Sequence, residues 1–286
     1  MTRIAVNDIH LSVAVQPAGP AVLLLHGFTG SSASWAPHLE AWQQFTTITV
    51  DLLGHGRSDC PADPDRYIME RCVADVLAVL DKLGIQQTAV LGYSMGGRVA
   101  LHLALHLARH APERLWALVL ESASPGLADA SERETRCTSD AALADCIERD
   151  GIAAFVQRWQ TLALFATQAQ LPITVREALR CQRLDNTPQG LANSLRGLGT
   201  GRQESVLHRL GHLQVPALLL AGALDIKYCE LARHMATQLP QPHCTIVPES
   251  GHTIHLEQPT VFAEIVRQFL DRCWQTQSQS KSVNTN

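Results

Sequence analysis

The sequence of 286 residues predicts an α/β protein: a mostly parallel central sheet flanked by helices, with an inserted helical cap. Three observations carry that prediction. Short apolar, β-branched runs alternate with longer patterns of helical period, and one such run leads directly into a glycine-flanked serine and a helix. The stretch from about 126 to 214 breaks the alternation, holding helical patterns and no convincing strand. A composition of 46% hydrophobic, 17% charged and 5% aromatic residues is that of a globular chain long enough to bury a substantial core.

Strands are read at 4–15 (a hairpin turning at Asn7-Asp8), 21–26, 46–51, 88–93, 116–121, 215–222 and 243–248. The clearest helix runs from Met69 to Leu83, where Cys72, Val73, Val76, Leu77, Leu80 and Leu83 recur at helical spacing and Gly84 ends the pattern. Further helices begin near Met95 and Gln258. Alternation of this kind implies a mostly parallel sheet covered on both faces. The core is therefore assigned to 1–125 and 215–274, the cap to 126–214, and the polar stretch 275–286 is expected to be a flexible tail.

Charge and cysteine usage exclude several function classes. Lys+Arg number 23 against 27 Asp+Glu, a net charge of −4 without the basic bias of a nucleic-acid binder. Residues Ile9 to Leu39 lack charges, but Gln16, Pro17, Gly19, Pro20 and His26 interrupt them, so neither a membrane span nor a signal peptide is read there. The eight cysteines form no CxxC pair and read as reduced thiols of a cytoplasmic protein. His102, His106 and His110 repeat every four residues, yet no carboxylate or cysteine joins them at ligand spacing, so no metal is expected. Gly54-His-Gly56 and Gly197-Leu-Gly-Thr-Gly201 lack the context of a phosphate loop or dinucleotide site, and no cofactor is implied.

The chemistry concentrates at Thr88-Ala-Val-Leu-Gly92-Tyr93-Ser94-Met95-Gly96-Gly97, a strand entering G-x-S-x-G and then a helix. Such a turn lifts the serine clear of the backbone. A serine hydroxyl needs a histidine to take its proton, and the histidine needs a carboxylate to hold its tautomer. Asp225, after the strand at 215–222, and His252, after the last strand, supply both in the order Ser, Asp, His. The turn His26-Gly27-Phe28-Thr29-Gly30 leaves backbone amides free, so the N–H groups of Phe28 and Met95 are the candidate oxyanion donors, and His26 is read as structural. Arg98 lies one turn into the helix after Ser94, where the macrodipole disfavours a cation by roughly 0.3–1 kcal/mol, so it calls for an anionic partner, either a nearby acid or a ligand.

His-Gly-Phe-Thr-Gly, the Asp51-Leu-Leu-Gly-His-Gly-Arg-Ser turn, Gly-Tyr-Ser-Met-Gly-Gly-Arg, Gly-Ala-Leu-Asp and Ser-Gly-His together resemble the α/β-hydrolase superfamily over nearly the full length. A narrower resemblance is carried by Tyr-Ser-Met-Gly-Gly-Arg98, Ser124-Pro-Gly-Leu, Glu132-Arg-Glu-Thr-Arg136, Trp159 with Leu164-Phe165, and the stretch Arg183 to Gly201. These are similar to the 2-succinyl-6-hydroxy-2,4-cyclohexadiene-1-carboxylate synthase family of menaquinone and phylloquinone biosynthesis. Ala163 departs from the proline expected before Leu-Phe. The resemblance implies an elimination of pyruvate in which Ser94, helped by His252 and Asp225, acts as a base on carbon. It also implies a tricarboxylate small-molecule substrate held by Arg98, Arg136 and Arg183, with Tyr93 and Trp159 lining the pocket. The alternatives are a carboxylesterase or C–C bond hydrolase using Ser94 covalently, or a ligand-binding receptor on the same fold. Neither nucleic acid nor membrane is expected as a partner, and the chain is expected to be a monomer or small homo-oligomer.

Overall fold

The uninterrupted apolar run Ala21–Leu25 forms a strand in the middle of the sheet, where both faces are covered and no polar alternation is needed. The computed structural model describes residues 1–283, with side chains through residue 279. Its strands are β1 (Thr2–Val6), β2 (Ile9–Gln16), β3 (Ala21–Leu25), β4 (Thr46–Asp51), β5 (Thr88–Tyr93), β6 (Leu115–Glu121), β7 (Ala217–Gly222) and β8 (Pro242–Val247). They form one eight-stranded sheet in the order β1-β2-β4-β3-β5-β6-β7-β8. The hairpin β1–β2 turns at Asn7, whose φ of +50° suits an asparagine, and β2 also runs antiparallel to β4. Every pairing from β4 through β3 to β8 is parallel. Strand boundaries fall within about two residues of those read from the sequence, the usual uncertainty of element ends.

The α-helices are α1 (Met69–Lys82), α2 (Met95–His110), α3 (Ala130–Trp159), α4 (Ile173–Leu184), α5 (Pro188–Leu198), α6 (Ile226–Ala236), α7 (Ile254–Glu257) and α8 (Pro259–Val283). β3 divides its side chains by its period of two. Leu23 and Leu25 join Val76, Val99 and Leu103 under α1 and α2, while Val22 and Leu24 join Trp35, Trp42, Phe262 and Phe269 under α8. Each fully buried leucine of this kind stabilises the fold by roughly 1.5–3 kcal/mol.

Two parts of the chain differ from expectation. The sequence pattern places the segment after the Leu127–Glu204 bridge in the cap through residue 214, whereas Val206, Leu210 and Leu213 are buried in the α1/α2 side of the core. Apolar residues at spacings of three and four look the same whichever body they cover, so only packing decides. The polar stretch 275–286, expected as a flexible tail, continues α8 through Val283, and its residues 284–286 lie outside the described residues. Its Gln and Ser residues tolerate helix, and α8 enters them already nucleated. Between Leu127 and Glu204, α3, α4 and α5 build the cap over the carboxyl ends of the strands, with Ile147, Phe155, Leu191 and Leu195 as its own small core. α3 is interrupted at Gly151, whose φ of +79° turns the chain between its two halves. Among the described residues, no helix is long and apolar enough to cross a membrane.

Candidate active site

Ser94 occupies the turn between β5 and α2 at φ +51°, ψ −108°, a conformation a non-glycine residue keeps only when its surroundings enforce it. Gly96 makes that possible: a Cβ there would run into the main-chain carbonyls of Leu25 and His26, so β3 could not approach the turn. The Ser94 N–H donates to Glu121 O (2.9 Å), and its hydroxyl lies 3.0 Å from His252 Nε2. His252 Nδ1 is 2.7 Å from Asp225 Oδ2. With Nδ1–H donating to the carboxylate, Nε2 is left as the acceptor for the Ser94 hydroxyl. Asp225 also caps α6 through the Tyr228 N–H (3.4 Å), which fixes its carboxylate. The imidazole is 1% exposed and lies among Tyr228, Tyr93 and Phe165, with ring centroids at 4.5, 5.5 and 6.1 Å.

Phe28 and Met95 line the cavity in front of Ser94, and among the described residues neither backbone N–H has a protein acceptor. The loop bearing Phe28 is braced from behind. Leu52 N–H donates to His26 Nε2 (3.0 Å) and His26 Nδ1–H donates to Gly27 O (2.8 Å), so His26 is a buried neutral tautomer and not a base. Burial lowers its pKa. His55, 5.1 Å away ring to ring, is held down to about 3 by burial and by His26. The unfolded chain therefore takes up a proton near pH 6.5 that native His55 refuses, so stability is complete above that pH and falls as pH drops toward 3. We expect the thermal midpoint to fall steadily between pH 7 and 4, and to fall less in His55→Gln. A wild-type midpoint that is flat over that range would overturn this.

The cavity holds about 130 Å³ and is lined by Ser94, Arg98, Arg136, Trp159, Tyr228 and His252 among others. Arg98 is 8% exposed, donates from Nη1 to Leu198 O (2.8 Å), and has no carboxylate partner. Its burial pulls the guanidinium pKa down to about 10, so it remains a cation at neutral pH. Asp140, the nearby acid, is felt by Arg98 but makes its contact with Arg136 instead, so among the described residues no carboxylate is within salt-bridge distance of Arg98. Arg136 spends one edge on Asp140 (Nε to Oδ1, 2.8 Å) and is half exposed at the rim. Trp159 closes the opposite wall, edge-on to Phe28 at 5.3 Å, and its buried Nε1 lacks an acceptor. Arg183 does not line this cavity. It lies under Phe165, 5.3 Å from the ring centroid, donates to Gln168 Oε1 (3.1 Å), and borders a separate space of about 30 Å³ behind Tyr93. Tyr93 borders both spaces, with its hydroxyl 3.0 Å from Thr253 Oγ1.

Sequence reading missed Tyr228, which lines the cavity against His252. Its signal was available: Asp225 caps a helix, and the residue three positions later lies on the same end of it. Ala163, at the position where proline was expected, begins a 3-10 turn through Gln170, so the turn forms without it.

A strained serine after β5, a histidine and an aspartate at strand ends, and a helical insert above them define a class, and comparison with known proteins agrees. The model of the alpha/beta hydrolase fold family matches residues 20–259, and the chain belongs to that family. It is 44% identical over 272 residues to a Bacillus subtilis (strain 168) protein assigned as a 2-succinyl-6-hydroxy-2,4-cyclohexadiene-1-carboxylate synthase, covering 94% of this chain and 97% of that one. It is 33% identical to the synthase of that name from Serratia proteamaculans, covering 88% and 93%. The solved structure of MenH from S. aureus superposes with a TM-score of 0.85 at 32% identity, covering 93% and 99%. Within the hydrolases, the chain belongs to the 2-succinyl-6-hydroxy-2,4-cyclohexadiene-1-carboxylate synthase family.

Proposed function

We propose that this chain is a lyase that eliminates pyruvate from 2-succinyl-5-enolpyruvyl-6-hydroxy-3-cyclohexene-1-carboxylate, leaving 2-succinyl-6-hydroxy-2,4-cyclohexadiene-1-carboxylate. The observation that carries this reading is Arg98, a buried cation one turn from Ser94 with no carboxylate in contact. A neutral ester would leave that buried guanidinium with a carbonyl as its only partner, whereas a substrate carboxylate would satisfy it with charge-assisted hydrogen bonds.

In this reading the Ser94 hydroxyl passes its proton to His252 Nε2, and Asp225 stabilises the resulting imidazolium. The serine oxygen removes the ring proton beside the succinyl ketone. The electron pair moves onto the ketone oxygen, where the Phe28 and Met95 N–H groups hold it. Its return as a ring double bond shifts the existing alkene and breaks the C–O bond to the enolpyruvyl group. The departing enolpyruvate takes up a proton and becomes pyruvate. No acyl-enzyme forms. Arg98 and Arg136 hold the carboxylates nearest the reacting carbons. Arg183, behind Tyr93 and Phe165, serves a carboxylate that reaches the adjoining space. Among the described residues no cluster of His, Cys, Asp and Glu could hold a metal, and this mechanism calls on none. None of the eight cysteines is paired, which supports placing the reaction in the cytoplasm.

The test is to supply the enolpyruvyl substrate to micromolar enzyme and follow pyruvate together with diene absorbance. Stoichiometric appearance of both is expected, and the absence of either overturns the reading.

A further inference from the structure

We propose that Glu257 is a positioning residue for His252. Its carboxylate accepts hydrogen bonds from the main-chain N–H of Gly251 (2.5 Å to Oε2) and of Thr253 (3.2 Å to Oε1), the residues on either side of the histidine. The loop carrying His252 has no regular structure, and it follows Glu249, which sits in left-handed backbone at φ +54°. Two amides in that loop point the same way, and one anion holds both. Glu257 itself is mounted firmly: it ends α7, and Pro259 opens α8 two residues later. The N–H groups of Leu256 and Glu257 return to Thr253 O, closing the turn from the other side (3.1 and 3.0 Å).

The geometry links this clamp to the reaction. His252 makes two side-chain contacts at 2.7 and 3.0 Å, and a shift of its backbone by about an ångström would break one of them, at a cost of up to about a hundredfold in rate. The clamp also sets Thr253, whose Oγ1 meets the Tyr93 hydroxyl at 3.0 Å and receives the cap's Gln168 Nε2–H at 2.9 Å. The same carboxylate thus fixes the base and the point where the cap rests on the core.

The inference rests on His252 being the group that takes the Ser94 proton. Glu257→Ala is expected to lower kcat for pyruvate release about a hundredfold and Glu257→Gln about tenfold, with KM changed less than threefold. Labelling of Ser94 by a serine-directed phosphonate, which needs the imidazole but not the tricarboxylate, should slow in parallel. In a His252→Ala background, Glu257→Gln should have no further effect on the residual rate, because a residue that acts through the histidine has nothing left to act on. Wild-type labelling and turnover in Glu257→Gln would overturn the proposal, as would an equal loss with and without His252. Should wild-type protein release no pyruvate yet label at Ser94, the labelling arm still decides the role of Glu257.

Discussion

Replacing Ser94 with alanine is expected to reduce kcat for pyruvate elimination by about a thousandfold or more while KM changes only a few-fold, measured by coupled detection of pyruvate. The substitution removes the oxygen 3.0 Å from His252 Nε2 and leaves Arg98, Arg136 and the Phe28 and Met95 amides in place. Binding therefore survives and proton removal does not. Because the proposed mechanism uses the alcohol as a base and not as a nucleophile, hydroxylamine added during wild-type turnover should trap no hydroxamate at Ser94. An alanine variant that keeps a tenth of the wild-type rate, or a trapped acyl group, would place the chemistry elsewhere or return it to covalent hydrolysis. The strained φ of +51° gives a second readout: alanine still has to adopt it, so the thermal midpoint should move little.

Arg98→Met should separate binding from stability. Methionine fills much of the same volume without a charge, and we expect kcat/KM for the tricarboxylate to fall about a hundredfold to a thousandfold, the worth of one or two charge-assisted hydrogen bonds made by a buried cation. Labelling of Ser94 by a neutral phosphonate should change less than threefold. Stability should hold or rise, because the wild-type protein keeps a buried cation without a carboxylate and holds it through one carbonyl, Leu198 O. That carbonyl keeps the Gln203 Nε2–H (3.3 Å) after the change. Equal losses toward the charged substrate and the neutral probe would mean that Arg98 shapes the turn at Ser94 and does not read substrate charge.

Both variants test residues that were legible in the chain before any coordinates. Ser94 was visible because a strand, a glycine-flanked turn and a helix are all local patterns, and Asp225 and His252 because each follows an apolar run that ends at the same edge of a parallel sheet. Arg98 was visible as a cation misplaced against a helix dipole. Glu257 and Tyr228 were not singled out, since one acts through two backbone amides and the other through a ring contact, and neither leaves a mark in residue spacing beyond the cap of α6.

The sequence by itself determined the strand and helix order, the glycine-dependent turn at Ser94 and the succession of serine, aspartate and histidine, because period, turn chemistry and capping act over a few neighbouring residues. Only the tertiary structure decided that Arg98 touches no carboxylate, that Arg183 lies behind Tyr93 and apart from Arg136, that Leu210 and Leu213 pack on the core, and that Glu257 grips the histidine loop. Those outcomes depend on which surfaces meet across long stretches of chain. Burial and partner geometry, the quantities that set the energy of a charge or an apolar side chain, exist only once those surfaces have met.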